Sequence, residues 1–373
     1  MSLINKKIVK MILAAALITS ALFQISCSNA NKESNSQKKE NKFDIKAATN
    51  VADTYMKYLM KEDTDNAKKL YSKELLQKSD AKIDPDLKIK GYNIIDVTEM
   101  GKSGLFKIRV TRVNTKKPYT SLDEYTVKVE KEQNDYKISE TKDVVMAEAF
   151  NEGNQIRYKN KNNVKTNLIL EMSSIPSYAI PKDDGSNVNK EVVPRNMFGI
   201  INFGYNGDML CITTQSQDAY SSIVKIDETL VVQGGEDKKQ GDSQKKSDTE
   251  SSQGLNIREK PIGKDITNVD IIKSCTIEFM TFSMDEKFLM IQYNKPGAGR
   301  FLRVYKTDSG DLIPFKFEKN YPVDTVDTVF SSFDKGVLNF DVVEKSSGNK
   351  AKSTSDIIGK WQLNLKTFKA NKM

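Results

Sequence analysis

The sequence of 373 residues contains no histidine. Histidine is the commonest general base near neutral pH and the commonest transition-metal ligand, so Ser-His-Asp catalysis, Cys-His catalysis and the usual zinc sites are excluded. Cysteine is scarce as well, with three residues. Cys211 and Cys275 each lie in an apolar, strand-like run, which is typical of buried free thiols. A disulfide between them is the alternative, because sequence does not fix the distance between their Cα atoms.

An uncharged apolar run lies near the N-terminus, from Met11 to Phe23, after Lys6, Lys7 and Lys10. The run has 13 residues, whereas a helix that crosses a membrane needs about 20. The pattern therefore predicts a cleavable signal peptide over residues 1–26 rather than a permanent transmembrane helix.

Ile25-Ser26-Cys27 follows the apolar run and resembles the lipobox of bacterial lipoproteins, in which a small residue precedes the acylated cysteine. Gln24 departs from the pattern, since the family usually has leucine there. The resemblance implies that Cys27 is lipidated and becomes the N-terminus, which anchors the protein to membrane lipid at the extracytoplasmic face of the cell membrane. Plain secretion after a nearby cleavage is the alternative. Residues 28–42 contain no large apolar side chain, so we expect residues 27–42 to be the acylated cysteine and a disordered tether.

The composition, 38% hydrophobic and 29% charged, is ordinary for a globular protein, and the length suits two domains. Removal of the leader, with its three lysines and no acid, would reduce the net charge from +8 to +5. Basic and acidic residues are interspersed, which indicates a solvated surface; attraction to anionic lipid or wall polymer is the alternative. We expect no cofactor, and no nucleic-acid binding because no basic cluster with aromatic residues is present.

Residues 43–142 are predicted to form an α+β domain. Apolar residues recur at helical steps from Ala47 to Met60 and again from Thr64, a candidate N-cap, to Leu75. Alternating patterns around residues 92–94, 106–110, 125–129 and 136–138 then predict four antiparallel strands. Helices first and strands afterwards predict helices over a curved antiparallel sheet.

This order resembles the nuclear transport factor two-like fold, most closely at Val51–Leu59 and Leu122–Val129. Some members of that family use the cavity under the helices as an active site, with an Asp-His or a Tyr-Asp pair. Histidine is absent here, and no pattern places a carboxylate in the cavity. Tyr55, Tyr58 and Tyr71 are therefore interpreted as core residues, with lining of a ligand pocket as the alternative.

Residues 143–373 are predicted to form an all-β domain with an internal repeat. Three segments, 204–212, 283–291 and 332–340, each place a polar turn before an apolar strand, and a further strand follows each copy. Asn206, Asp285 and Asp334 stand 79 and 49 residues apart, and a Ser/Gln/Lys-rich insert of 30 residues at about 233–262 accounts for the difference. We expect this insert to be a disordered loop.

The repeat resembles the blades of β-propellers, and Ser283-Met284-Asp285-Glu286-Lys287 is the nearest match to their turn, without its proline. Three copies are clear, and Leu168–Ile180 is a candidate degenerate fourth. The expectation is three to four propeller-like blades, either closed or as an incomplete, open stack, with the open stack favoured. Asn294–Arg300 is interpreted as a hairpin turn and not a phosphate loop, and Asp183–Asn189 as a solvated turn and not a calcium loop.

These observations favour an extracytoplasmic lipoprotein that is a non-catalytic binding, sensing or adaptor module for an envelope protein or a wall-associated ligand. A carboxylate-dependent envelope hydrolase is the alternative, because paired carboxylates need no histidine. The acids that the pattern places, Asp285, Asp308, Asp311 and Asp334, lie in polar turns, where aspartate bonds its own backbone. A structural role in wall or spore assembly is a third hypothesis.

The lipid anchor can be tested directly. Replacement of the acylated residue in Cys27→Ala should abolish metabolic labelling by a fatty-acid probe, because no other residue of the lipobox carries a thiol. Cys211→Ala keeps Cys27 and should still be labelled. Undiminished labelling of the Cys27→Ala protein would show that the anchor lies elsewhere.

Overall fold

The computed structural model describes residues 43–78, 85–182, 189–230, 259–345 and 356–373. The predicted signal peptide, Cys27 and the tether lie outside these residues, as do most of the predicted insert and residues 183–188 of the predicted solvated turn. Residues Phe43–Met373 form one compact unit. Within the described ranges, no helix is long and apolar enough to cross a membrane.

Helix α1 (Ile45–Met60) covers one face of the sheet that follows it. Asp44 begins this helix, because its carboxylate accepts hydrogen bonds from the backbone N–H groups of Lys46 (2.9 Å) and Ala47 (3.3 Å). The apolar face of the helix then packs into a core with the inward side chains of the sheet. The buried residues of the helix are Ala48, Ala52, Tyr55 and Met56.

The predicted second helix consists of two short helices, α2 (Thr64–Lys69) and α3 (Lys73–Lys78). The chain leaves the helix between them because the N–H of Ile138 donates to the carbonyl of Leu70, and the N–H of Ser72 donates to the carbonyl of Ile138, both at 2.8 Å. The prediction of one continuous helix was therefore wrong. The N-cap is Asp63, not Thr64, since the Asp63 carboxylate accepts from the N–H of Asn66 at 3.1 Å.

The first sheet contains six antiparallel strands in chain order. They are β1 (Leu87–Met100), β2 (Ser103–Asn114), β3 (Tyr119–Glu132), β4 (Asp135–Glu152), β5 (Gln155–Asn160) and β6 (Asn167–Glu171). The four predicted strands lie in β1 to β4, but the sheet continues past the expected domain boundary between residues 142 and 143. Strand β4, with 18 residues, pairs with β3 along its length and with β5 at its end, so the two predicted domains share one sheet.

Three further antiparallel sheets follow, one for each copy of the repeat. The second sheet contains β9 (Met197–Phe203), β10 (Met209–Gln215), β11 (Ala219–Ile226) and β12 (Gly263–Ile272); the third contains β13 (Thr276–Phe282), β14 (Phe288–Lys295) and β15 (Gly299–Lys306); the fourth contains β16 (Val326–Asp334), β17 (Val337–Glu344), β18 (Gly359–Asn364) and β19 (Ala370–Lys372). In each sheet the predicted polar turn joins the first two strands. The described chain is thus mostly antiparallel β-structure.

Smaller elements connect these sheets. They are a 3-10 turn (Met172–Ser174), a ribbon of β7 (Tyr178–Ala179) with β8 (Glu191–Val192), and the short helix α4 (Phe317–Asn320). The candidate fourth copy, Leu168–Ile180, forms no sheet of its own, because its first residues belong to β6 and its last residues lie in and beside β7.

The last residues of the predicted insert, 259–262, are ordered, which corrects the expected range. Ile262 is buried, and its N–H donates to the carbonyl of Leu168 at 2.8 Å. The carboxylate of Glu259 accepts from the N–H of Leu168, also at 2.8 Å. These contacts connect the edge of the first sheet to the start of β12, which no composition argument revealed.

The first sheet packs against β9 and β13, the first strands of the second and third sheets. The fully buried Asn202 of β9 joins them: its Nδ2 donates to the carbonyl of Met280 in β13 at 2.7 Å, and its Oδ1 accepts from Thr120 Oγ1 in β3 at 3.2 Å. One side-chain amide therefore connects three sheets.

The polar turns of the repeat also contact one another and the N-terminal elements. The carboxylate of Glu286 accepts from the N–H of Asn206 at 2.9 Å, which joins the turns of the second and third sheets. Asn93 of β1 donates to the carbonyl of Met284 at 3.0 Å. Lys57 of α1 pairs with Asp334 at 2.8 Å, so the turn of the fourth sheet is held by a helix.

Gly91 of β1 provides a test of this packing. A Cβ added there would lie 2.6 Å from Thr281 Oγ1 and would overlap the hydroxyl of Tyr205. We expect Gly91→Ala to lower the free energy of unfolding by about 1–3 kcal/mol, as overpacking does elsewhere. Chemical denaturation measures this loss. Tyr205→Phe removes the overlapping hydroxyl. The double variant Gly91→Ala/Tyr205→Phe should therefore lose less free energy of unfolding than the sum of the losses of the two single variants. A loss equal to that sum within about 0.5 kcal/mol would contradict the packing.

Candidate functional site

A groove of about 640 Å³ lies between β1 and the end of α1 on one side and the third and fourth sheets on the other. This volume is within the range of about 300–1,000 Å³ that is usual for small-molecule sites. Much of its lining is apolar. The apolar side chains are Met60, Ile89, Ile277, Phe279, Val329 and Phe330.

Gln292 fixes the polar part of the groove. Its Nε2 donates to the carboxylate of Glu278, and its Oε1 accepts from the backbone N–H of Phe330 at 2.9 Å. Arg300 Nε donates to the other oxygen of Glu278 at 2.9 Å. Because each of these groups already has a partner, the third and fourth sheets hold this wall of the groove in a defined arrangement.

Lys90 of β1 is a partly buried cation of the groove that lies on an aromatic ring. Its Nζ lies 4.6 Å from the ring centroid of Phe279, and within the described residues it makes no ion pair or hydrogen bond. By contrast, Lys88 pairs with Glu62 at 2.8 Å. Burial lowers the pKa of Lys90 below its ordinary value. The groove therefore holds a partly desolvated cation on an aromatic surface.

A second polar cluster lies on the helix-facing side of the first sheet. The side chain of Asp123 is fully buried, and its Oδ2 is ion-paired with Arg112, which also contacts Asp143 at 3.4 Å. Burial raises the pKa of Asp123, whereas the guanidinium of Arg112 acts in the opposite direction. The sequence analysis placed no carboxylate under the helices, and Asp123 corrects that conclusion.

The tyrosines under the helices behave mainly as core residues, as predicted. The hydroxyls of Tyr55 and Tyr71 are hydrogen-bonded to each other at 2.9 Å, and Tyr58 packs at the edge of the same core. Burial raises the pKa of Tyr55, and it raises that of the nearby Tyr125 to about 12. The phenols of Tyr55 and Tyr125 therefore stay protonated near neutral pH and can donate hydrogen bonds but cannot act as bases there.

The cysteines and the hairpin are as the sequence predicts. Cys211 and Cys275 are both buried and free. Burial raises their pKa values, that of Cys275 to about 12, so neither is a reactive thiolate. The predicted turn at Asn294–Arg300 is the hairpin between β14 and β15, and it places Arg300 at the groove.

The predicted turn carboxylates make local contacts. Asp285 accepts from the hydroxyl of Ser283 at 2.8 Å, and Asp334 pairs with Lys57. Lys182 donates to Asp311 at 3.0 Å and thereby lowers the pKa of Asp311. Asp308 lies in the turn after β15. None of these four residues lines the groove.

Sequence reasoning missed the buried ion pair, although a signal for it was present. Arg112 continues the inward alternation of Ile108 and Val110, and Asp123 precedes Tyr125 and Val127 in the same phase. A charged residue at the inward position of each of two paired strands is a readable signal. The groove had no such signal, because its lining comes from elements that are distant in the sequence.

Comparisons with known proteins do not assign this chain to a family. No family model matches it, and no curated protein matches it. A putative 6-phosphogluconolactonase from Bacteroides fragilis is similar in structure with a TM-score of 0.25 and 11% identity, over 62% of this chain and 71% of that chain. Puromycin hydrolase is similar with a TM-score of 0.23 and 6% identity, over 75% of this chain and 53% of that chain. Likenesses at this level carry no argument about activity.

The buried ion pair can be tested with its two carboxylates as matched variants. Asp123→Ala leaves a guanidinium that is mostly buried without its close partner, so we expect the free energy of unfolding to fall by about 3–5 kcal/mol. Asp143 is 57% exposed, so Asp143→Ala should cost less than about 1 kcal/mol. Denaturant titration compares the two, and equal losses would contradict the described pairing.

Proposed function

We propose that this protein is a lipoprotein, anchored through acylated Cys27 at the extracytoplasmic face of the cell membrane, that acts as a non-catalytic binding or adaptor module. The anchor rests on the sequence of residues 1–27. The binding role rests on the groove, whose partly apolar lining and fixed polar wall suit a ligand or a segment of an envelope partner.

We also propose the finer fold assignments as working descriptions. The packing of α1 to α3 over the first strands supports a nuclear transport factor two-like arrangement for residues 43–142. Three sheets that repeat the same hairpin and turn support a propeller-like, incomplete stack for the remainder. In this description the first sheet covers the inner strands β9 and β13, and the groove is the space left beside it.

A carboxylate-dependent envelope hydrolase is the second candidate, and the buried Asp123 is the observation that favours it. Its raised pKa is what a general acid requires. Against this role, the Arg112 guanidinium binds one oxygen of the carboxylate directly. An aspartate held by arginine is stabilised as the anion, so the contact serves the fold better than it serves proton transfer.

The binding role predicts that blocking the groove removes the partner. Ser331→Trp and Thr115→Trp each place a large side chain in the lining, and we expect either to abolish co-purification of an envelope partner from detergent-solubilised membranes. Thr98→Trp makes a comparable exposed change near the far end of β1, outside the groove, and should retain the partner.

Two outcomes would contradict the proposal. One is a partner that is retained equally by all three variants, which would place binding elsewhere. The other is hydrolysis of a glycan, peptidoglycan or ester panel by the purified protein that Asp123→Asn abolishes while the variant remains folded, because that result would make the protein an enzyme.

A further inference from the structure

Among the described residues, the charged side chains that are almost fully buried all have a close polar or charged partner; they are Asp123, Asp270, Glu286 and Arg303. Asp270 and Arg303 are both almost fully buried and form an ion pair, with 2.8 Å between Arg303 Nη1 and Asp270 Oδ2. Arg303 Nε also donates to the carboxylate of Glu318 at 3.1 Å. Glu286 is held by the turn of the second sheet. An isolated buried ammonium is costly, so proteins normally pair it or leave it in water. Lys90 is only partly buried, but its ammonium has no ionic partner among the described residues and lies on an aromatic ring at the groove.

The surroundings of Lys90 leave room for an anion. The two acids that act on the pKa of Lys90 are already engaged, Glu62 by Lys88 at 2.8 Å and Glu278 by Arg300 at 2.9 Å, and Asp341 also lines the groove. Glu62 and Glu278 favour the charged form of Lys90, whereas Lys88 and burial oppose it. The ammonium lines the groove on one side and rests on the ring of Phe279 on the other.

We infer that the groove binds an organic anion, with a carboxylate or phosphate group at Lys90 and an apolar body against Phe279 and Phe330. This inference rests on the proposed binding function and specifies the class of ligand. Lysine is a compact point charge with rotatable donors, and it does not by itself select between carboxylate and phosphate geometry. The apolar lining requires that the anion carry an apolar or aromatic portion.

The test uses the full chain and three aromatic probes of similar size: benzyl phosphate, phenylacetate and neutral benzyl alcohol. We expect calorimetry to show binding of at least one anionic probe at millimolar concentrations or below, and weaker binding of benzyl alcohol. Lys90→Met should weaken the affinity for the anionic probe by about 10- to 100-fold, the usual range for loss of a charge-assisted hydrogen bond. Inorganic phosphate should bind more weakly than benzyl phosphate, because it lacks the apolar portion.

Thermal unfolding separates a ligand-binding role of Lys90 from a structural one. Methionine removes an unpaired ammonium and keeps the length of the side chain, so Lys90→Met should raise the melting temperature of the unliganded protein. Lys107→Met changes the same charge on the exposed face of β2 and should alter neither stability nor probe binding appreciably. A lowered melting temperature in Lys90→Met would overturn the inference, because Lys90 would then be a structural contact to Phe279.

The remaining outcomes distinguish this inference from the proposed function. If the Ser331→Trp variant no longer binds the anionic probe while the Lys90→Met variant still binds it, the assignment of the anion to Lys90 is overturned and the groove remains a binding site. If both variants keep the probe, it binds elsewhere and the inference is overturned. If the wild-type protein binds neither anionic probe, the ligand class is wrong, whereas loss of an envelope partner in the groove-blocking variants would still support an adaptor.

Discussion

The buried amide of Asn202 is the contact on which the arrangement of the sheets depends. It lies where strands of the first, second and third sheets meet, and its oxygen and nitrogen are both satisfied across sheet boundaries, by Thr120 and by the carbonyl of Met280. A fully buried amide must find such partners, because an unpaired one costs several kcal/mol. Apolar packing alone would tolerate sliding of one sheet over another. The Asn202 amide keeps its hydrogen bonds only in a few relative positions of the sheets. The fourth sheet is joined to helix α1 by the ion pair of Lys57 with Asp334, and the groove lies on that side.

Local sequence patterns predicted the local structure well. The hairpins of the three repeats were predictable because each turn and its two strands lie within about twenty residues, so composition and alternation suffice. The break between α2 and α3 was not readable, because its cause is pairing with Ile138, which is far along the chain. The shared first sheet was missed for a similar reason: the strand predicted at 136–138 was expected to belong to a domain that ends at residue 142, but pairing with β3 and β5 keeps β4 extended to Glu152. The candidate site was the least predictable part, since its walls meet only after the sheets have packed.

Buried charges of the described residues are paired across the boundaries between sheets. The Asp270–Arg303 pair joins the second and third sheets, and the hydroxyl of Tyr305 supplies a further hydrogen bond to Asp270. Such pairs contribute less net stability than apolar packing, but they specify one arrangement because any other leaves a buried charge without a partner. Lys90 lies outside these pairs: its ammonium rests on the ring of Phe279 and lines the groove.

The absence of histidine limits how such a site can be controlled. No imidazole titrates anywhere in the chain, and the buried tyrosines and cysteines described above have pKa values raised further from neutrality. Changes of pH between about 5 and 8 thus have no imidazole through which to act, whereas burial shifts the pKa values of Lys90 and Asp123 toward neutrality. If the groove works outside the cytoplasm, where pH is less well buffered, this composition makes binding depend on the charge and shape of the ligand. Discrimination between anionic and uncharged ligands would then come from desolvation of Lys90. An uncharged ligand in the groove would bury the Lys90 ammonium without a partner, whereas an anionic ligand would pair with it.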